Sequence, residues 1–299
     1  MITTDNSAII QRNVEEWTRE IKDYVDKYGH NMTARNLFPV RNVGADTAID
    51  VVTNYDRTGE TAQIVAKGSI PETAGMKAST TNYDIFQIST AFNINAKDLK
   101  LDPKGKARQI DICMRDVHKK EDTTVLNGVS RYGITGLVGA AQANSGGVIT
   151  AAASSGINTG NAGAWSGETG TDIYDDINTA IGMMDDEFEP AYLVGSRANL
   201  LYLNRMDSER QPYYKSISGL FGKKNPDDKS WMWTTNQFTD TDKVYVIPKD
   251  FMAAEMVVSE NPRLVSYPMS AGENYRFEIV SWSAIEIYEN DAFVEIQVT

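Results

Sequence analysis

The sequence predicts an α+β fold, and three observations carry the prediction. A proline-free run of helical composition follows Pro103 and ends at Asn127-Gly128. A β-prone, turn-rich region precedes it over 47–96. The C-terminal third consists almost wholly of short β-prone runs. At 299 residues the chain is long enough for one large domain or two moderate ones with a real hydrophobic core.

The helix over 103–126 is the frame of the reading. Asp102 can cap it, Pro103 suits the first helical position, where its missing N–H costs nothing, and Gly128 suits the stop because glycine accepts the left-handed conformation. At ~1.5 Å per residue it spans roughly 36 Å. Ala107, Ile110, Met114, Val117 and Val125 give a thin apolar stripe, weakened by Gly105. Asp111/Arg115 and Asp116/Lys120 are acid-before-base pairs four apart, which support an exposed helix. So narrow a stripe places the helix across a surface.

Upstream, Ile10, Val14, Trp17, Ile21, Val25 and Tyr28 recur at spacings of three and four. They predict an amphipathic helix over 8–28, stopped by Gly29-His30 and docked on a partner surface. Asn31-Met32-Thr33 matches a glycosylation pattern, but no secretory signal precedes it. Short strands are expected at 51–53 and 63–65 around a turn at 56–60. A breaker-rich segment fills 68–75, and another strand covers 83–94. Residues 56–80 are poor in apolar side chains, so the region reads as a long hairpin standing away from its own domain. An isolated hairpin is marginal in water and gains order by lying on something else. The alternative is a hairpin folded back on its own sheet.

Beyond the long helix, 133–138 reads as a tight turn or short strand. Its glycines do not have the dinucleotide-binding spacing. The segment 139–170 is low in complexity, with Glu168 its only charge, and reads as a flexible linker in which Val148, Ile149, Ile157 and Trp165 anchor short strands. Thr171 caps a second helix carrying Ile173, Ile177, Ile181 and Met184. A strand is expected at 191–194 and a short helix at 199–206. Aromatic-rich loops follow at 211–222 and 231–238. Strands are then expected at 243–247, 256–259, 263–267, 275–281 and 293–298, with a helix or turn at 250–254. No internal repeat is present.

Composition narrows the function. Lys+Arg total 29 against 41 Asp+Glu, a net charge of −12, so the chain has no general attraction for nucleic acid or anionic membranes. No apolar run approaches the ~18 residues that span a bilayer. Cys113 is the single cysteine, which excludes an internal disulfide and reads as a structural thiol; synthesis in a cytosol is the plain expectation. His30 and His118 are the two histidines, and Cys/His zinc spacing is absent. Nucleophile-elbow, P-loop and zincin motifs are missing. A carboxylate-based hydrolase or a divalent-cation site remains open at Asp172, Asp175, Asp176, Asp185, Asp186, Glu187 and Glu189. The simpler reading is a set of solvated acids, the first three complementing a helix N-terminus. Lys223-Lys224 beside Phe221 and Trp231 is the one basic patch with aromatics, and the aromatics fit a subunit contact better than a nucleic-acid site. No cofactor or metal is implied.

The order of these features resembles the major capsid proteins of tailed viruses, the Hong Kong ninety-seven-type fold shared with encapsulin shells. Thr33-Ala34-Arg35-Asn36-Leu37-Phe38-Pro39-Val40 resembles the segment after the family's N-terminal helix. Thr58-Gly59-Glu60-Thr61-Ala62-Gln63-Ile64 and Ser69-Ile70-Pro71 resemble its extended loop. Leu126-Asn127-Gly128 with Gly133-Ile134-Thr135-Gly136-Leu137 resembles the end of its spine helix and the turn beyond. Pro190-Ala191-Tyr192-Leu193-Val194 and the ending from Ser281-Trp282-Ser283-Ala284-Ile285 to Phe293-Val294 are also similar.

The resemblance implies an N-terminal arm (1–46), an extended loop (47–95), a peripheral domain (96–138 and 255–286) around the spine helix, and an axial domain (139–254 and 287–299). It implies a non-enzymatic virion protein that forms pentamers and hexamers of itself and closes an icosahedral shell around double-stranded DNA without reading its sequence. A separate scaffolding protein, a portal and cement proteins are the implied partners, since the docking helix begins within ten residues of Met1. An encapsulin shell around cargo enzymes is the alternative. Lys67 and Lys77 lie in the loop but match no crosslinking pattern. A protruding hairpin, a thin-striped helix and aromatic loops also suggest, without the family, a protein that contacts copies of itself. The contact residues expected are Trp17, Arg57, Ile70, Pro71, Glu72, Met76, Tyr213, Tyr214, Phe221 and Trp231.

Overall fold

In chain order, a computed structural model gives α1 (Thr33–Leu37), β1 (Val40–Asn42), β2 (Ile49–Thr58), β3 (Gly75–Asp84), β4 (Phe86–Asn95), α2 (Pro103–Asn127), α3 (Leu137–Ala143), β5 (Val148–Thr150) and α4 (Gly170–Ile181). It continues with β6 (Pro190–Gly195), α5 (Arg197–Leu201), α6 (Tyr214–Ile217), β7 (Met232–Thr234), β8 (Lys243–Pro248), β9 (Ala254–Pro268), β10 (Asn274–Ile287) and β11 (Val294–Gln297). The structure describes residues 12, 15, 16, 19, 23, 33–45, 47–58, 75–95, 103–144, 148–150, 165, 170–206, 211–268 and 274–298. The five early positions are helical and exposed, within the helix expected over 8–28; its apolar face, with Trp17, lies outside the described residues. So do the strand expected at 63–65 and Ile70, Pro71 and Glu72.

Among the described residues the strands form three sheets, ordered β1-β9-β10-β4, β5-β11-β8-β6-β7, and β2-β3 alone. α2 is a 25-residue helix whose stripe is as thin as the sequence implies. Ile110, Cys113, Met114 and Val117 are buried against Ile88 of β4, Leu264 of β9, and Phe277 and Ile279 of β10. Phe92 stacks on Phe277 with centroids 5.5 Å apart. Each such side chain contributes about 1.5–3 kcal/mol by leaving water. At its far end α2 passes Val125 and Leu126 to a second cluster that includes Leu37, Phe38, Leu137 and Phe293. The helix therefore ties the four-stranded sheet to the other half of the molecule.

The stop after α2 is steric. Gly128 has φ +70°, and a Cβ there would fall 2.5 Å from the Ile134 carbonyl oxygen. Gly136 packs directly on the Gly128 nitrogen. The turn or strand expected at 133–138 is a 3-10 turn at Ser130–Tyr132, a left-handed Gly133, and then α3. Small side chains let α3 approach closely: Ala140 and Ala141 are wholly buried.

β8 shows why the C-terminal half needs two covering layers. Val244 and Val246 enter one cluster, with Ile173, Ile177 and Trp231, while Tyr245 and Ile247 enter the other, with Phe238 and Phe293. A strand buried on both faces reads as a continuous apolar run. Inside this half, Glu295 lies at 1% exposure, compensated by Lys243 Nζ at 2.9 Å and the Tyr245 hydroxyl at 3.2 Å.

Several expectations are corrected. The strand at 83–94 is two strands: β3 pairs with β2, β4 pairs with β10, and Ile85 breaks them, buried and donating its N–H to the Ala48 carbonyl. The runs 256–259 and 263–267 are one strand, β9, held on β10 with register shifts around Trp282. The linker expected at 139–170 begins inside α3, contributes β5, and returns Trp165 to the core, where its N–H donates to the Val298 carbonyl and its Nε1 to Asp176. The loops at 211–222 and 231–238 contain α6, a 3-10 turn and β7.

Candidate functional site

The hairpin β2-β3 pairs in register from Ile49↔Asp84 to Thr58↔Gly75, placing Arg57 directly opposite Met76. No other strand extends this sheet among the described residues. Ile49 and Val51 stay more than half exposed on the side facing away from Asp50. The hairpin is held at its root.

That root is built from charges. In the β9–β10 ladder Glu255 lies directly opposite Glu286, an arrangement of like charges that is unfavourable unless a cation intervenes. β1 runs parallel to β9 and supplies one. Arg41 donates from Nε to Glu255 Oε2 (2.8 Å) and from Nη2 to Glu286 Oε2 (2.9 Å). Nη2 also donates to Asp50 Oδ2 of the hairpin (2.5 Å). The Tyr288 hydroxyl donates to Glu286 Oε2 at 2.7 Å and lies 3.2 Å from Glu255. From β3, the Tyr83 hydroxyl donates to the Ile287 carbonyl at 2.8 Å. Three carboxylates share one guanidinium. Glu286 is wholly buried, and its Oε1 has no hydrogen-bond partner among the described residues. Burial first, and the Asp50 carboxylate beside it, push the Glu286 carboxyl up to about 7, against the hydrogen bond from Tyr288 and the charge of Arg41. For Asp50 burial is the largest single influence and acts upward, but the hydrogen bond and charge of Arg41, with hydrogen bonds from Glu286 and the Val51 N–H, together hold Asp50 below the usual aspartate range.

A second arginine fixes the preceding segment to α2. Arg35 grips Glu121 with both ends of its fork, at 2.8 and 2.9 Å, and Glu121 accepts a further hydrogen bond from Ser283 of β10 (3.0 Å). Asp122 accepts from the Ala34 N–H (2.9 Å), satisfying a first-turn donor of α1 that has no partner within its helix. Nearby, burial pushes His118 down to about 4, with the Glu121 charge opposing and Arg35 assisting.

The sequence-named aromatics fall elsewhere than expected. Trp231 is wholly buried and Phe221 nearly so, stacked at 4.6 Å in the core beneath the five-stranded sheet, and Tyr214 is 9% exposed under the Lys229 ammonium. The expectation that these three offer surface to another copy is corrected: their faces are spent inside their own chain. Tyr213 is half-buried, its ring filling the space where a Cβ on Gly170 would stand. Arg57 and Met76 are placed only by their strands.

The acids read as solvated divide. Asp175, Asp185, Asp186, Glu187 and Glu189 are exposed, but Asp176 is wholly buried and accepts from Trp165 Nε1 at 3.0 Å. Among the described residues no group of three or more His, Cys, Asp or Glu is arranged to hold a metal ion. The Cys113 thiol is buried and pushed up chiefly by that burial, as a packing group would be. A groove of about 510 Å³ beside the root is lined by Tyr83, Phe86, Tyr132, Ile134 and Ile287.

The root cluster was not read from the sequence. A signal existed in Glu286 standing between Ile285 and Ile287, and in Glu255 beside the apolar 256–258; acids inside buried strands demand a cation.

The chain has the Hong Kong ninety-seven-type capsid fold. Among solved structures it is similar to a virus-like particle from Pyrococcus furiosus, at TM-score 0.66 and 11% identity over 94% of this chain and 99% of that one. It is similar to the capsid of Myoviridae phage XM1, at TM-score 0.65 and 11% identity over 89% of this chain and 90% of that one. A structure from Mycobacterium phage Adephagia gives TM-score 0.63 and 10% identity over 89% of each chain. No protein-family model matches the sequence, and no curated protein matches it.

Proposed function

We propose that the chain is a structural, non-enzymatic major capsid protein of a tailed virus. It assembles with copies of itself into pentamers and hexamers that close an icosahedral shell around double-stranded DNA. The observation that carries this reading is full-length likeness to shell proteins: about nine-tenths of the chain superposes on about nine-tenths of a phage capsid subunit. The four-part division into arm (1–46), loop (47–95), peripheral (96–138, 255–286) and axial (139–254, 287–299) regions belongs to the reading. So does contact with neighbouring copies through Trp17, Arg57, Ile70, Pro71, Glu72, Met76 and Tyr213. A net charge of −12 suits a container whose wall must not grip the duplex. In this reading the protein is made in the host cytoplasm, resides in the virion, and works with separate scaffolding, portal and cement proteins.

The likeness to the Pyrococcus particle, which covers 99% of that subunit, favours a second reading: an encapsulin shell enclosing protein cargo. Expression of residues 1–299 followed by light scattering and negative-stain microscopy tests both. Closed shells or five- and six-membered rings are the expected result. A monomer that stays monomeric with crowding agents, high salt and its neighbouring gene products overturns it. Nuclease-protected DNA in particles from the native source separates the viral reading from protein cargo.

A further inference from the structure

The hairpin root holds a group that the shell reading does not use. Arg41 from β1 faces Asp50 from β2, Glu255 from β9 and Glu286 from β10, while Tyr83 from β3 and Tyr288 after β10 close the cluster. With all three acids ionised the cluster carries two uncompensated negative charges, one on a side chain with no solvent exposure. Its orphan oxygen, Glu286 Oε1, accepts nothing while ionised; protonated, the carboxyl becomes a donor toward Asp50. Asp50 and Tyr83 lie opposite each other at the base of the hairpin, so what holds them holds the hairpin.

We propose that this cluster is a proton-operated latch: one proton bound at Glu286 draws Asp50, and with it the base of β2-β3, against the β9-β10 edge, and loss of that proton releases the hairpin. Nothing is formed or broken covalently; the proton comes from and returns to solvent. The latch belongs to the single subunit and stands whether or not the shell reading does.

The sign follows from which state binds the proton better. The docked root holds the Glu286 proton up to about pH 7, whereas a released, solvated glutamate gives it up near 4.5. Docking is therefore fully favoured only below about pH 4.5, weakens as pH rises from there to about 7, and levels off above that. Across roughly pH 6 to 8 the two affinities predict about a tenfold change in the docking equilibrium.

Hydrogen exchange on the full chain reads this directly. Protection of peptides covering 49–58 and 75–84, referenced at each pH to peptides of β8 and β11, is expected to fall about tenfold from pH 6 to 8 in the wild type. In Glu286→Gln, which keeps the shape without the titration, the referenced ratio is expected to be flat. Asp50→Asn, at the partly exposed rim, removes the hairpin's own acid and is expected to shrink the dependence even if Glu286→Gln misfolds. A pH-independent wild-type ratio, or the same pH dependence in either folded variant, overturns the latch.

Discussion

Arg35 and Arg41 lie six positions apart, and each ties the N-terminal segment to acids far along the chain, yet they build opposite kinds of joint. Arg35 meets one buried carboxylate with its whole fork, and Ser283 and Asn261 complete the hydrogen bonding. Charges balance, and the joint is closed to solvent at 14% and 1% exposure. Arg41 is 36% exposed and divides itself among three acids. A balanced joint resists change in protonation, whereas an overcharged one invites it. The first fastens elements that must not part, α1 to α2 and the sheet. The second fastens an element that stands on its own sheet.

The largest effect is expected where the balance is perfect. Arg35→Ala strands the Glu121 charge in the interior and is expected to cost about 3–5 kcal/mol in urea unfolding. The double replacement Arg35→Met with Glu121→Leu is expected to recover most of it; equal loss in both would mean the arginine's packing, not its charge, dominates. Next comes Arg41→Ala, which removes the guanidinium from among three acids, two of them partly solvated and Glu286 buried. A loss of about 2 kcal/mol, smaller than at Arg35 and growing as pH rises, is expected from the same melts. A larger loss than at Arg35 would invert the comparison.

The two regions should also respond to acid in opposite directions. His118, beside the Arg35 joint, has its folded-state value lowered from 6.5 to about 4, so the folded chain binds fewer protons. Its contribution is complete above pH 6.5, declines as pH falls, and is fully lost below about 4, a span on the order of 3 kcal/mol. His118→Gln is expected to flatten that decline while leaving the rise from Glu286 untouched, which a stability profile over pH 4–8 would resolve. The smallest effect belongs to the exposed Asp111/Arg115 pair on α2. Asp111→Asn is expected to shift stability by no more than about 0.5 kcal/mol, and less in high salt.

What could be read from the sequence was whatever is decided locally. α2 was legible because Pro103 opens it, Gly128 closes it, and its stripe lies at helical spacing between. β3, with the sequence GMKASTTNYD, has no apolar alternation, and only its pairing with β2 makes it a strand. Trp231 and Phe221 looked like contact residues because aromatic loops commonly are. Whether such a ring faces out or in depends on α4 and β8, which the local text does not reveal. The Arg41 cluster was least legible, since its partners lie 9, 214 and 245 positions away and no spacing rule connects them.

The same separation sets a timetable for synthesis. β1 can pair only with β9, and Arg41 must wait for Glu255, 214 residues later. At about 5–20 residues per second, a ribosome takes roughly ten to forty seconds to supply that partner. Until the last fifth of the chain emerges, β1 has no neighbour and the hairpin has no base to stand on. The nascent chain therefore acquires its folded shape only when translation is nearly finished, and a chain truncated before Glu255 lacks this joint.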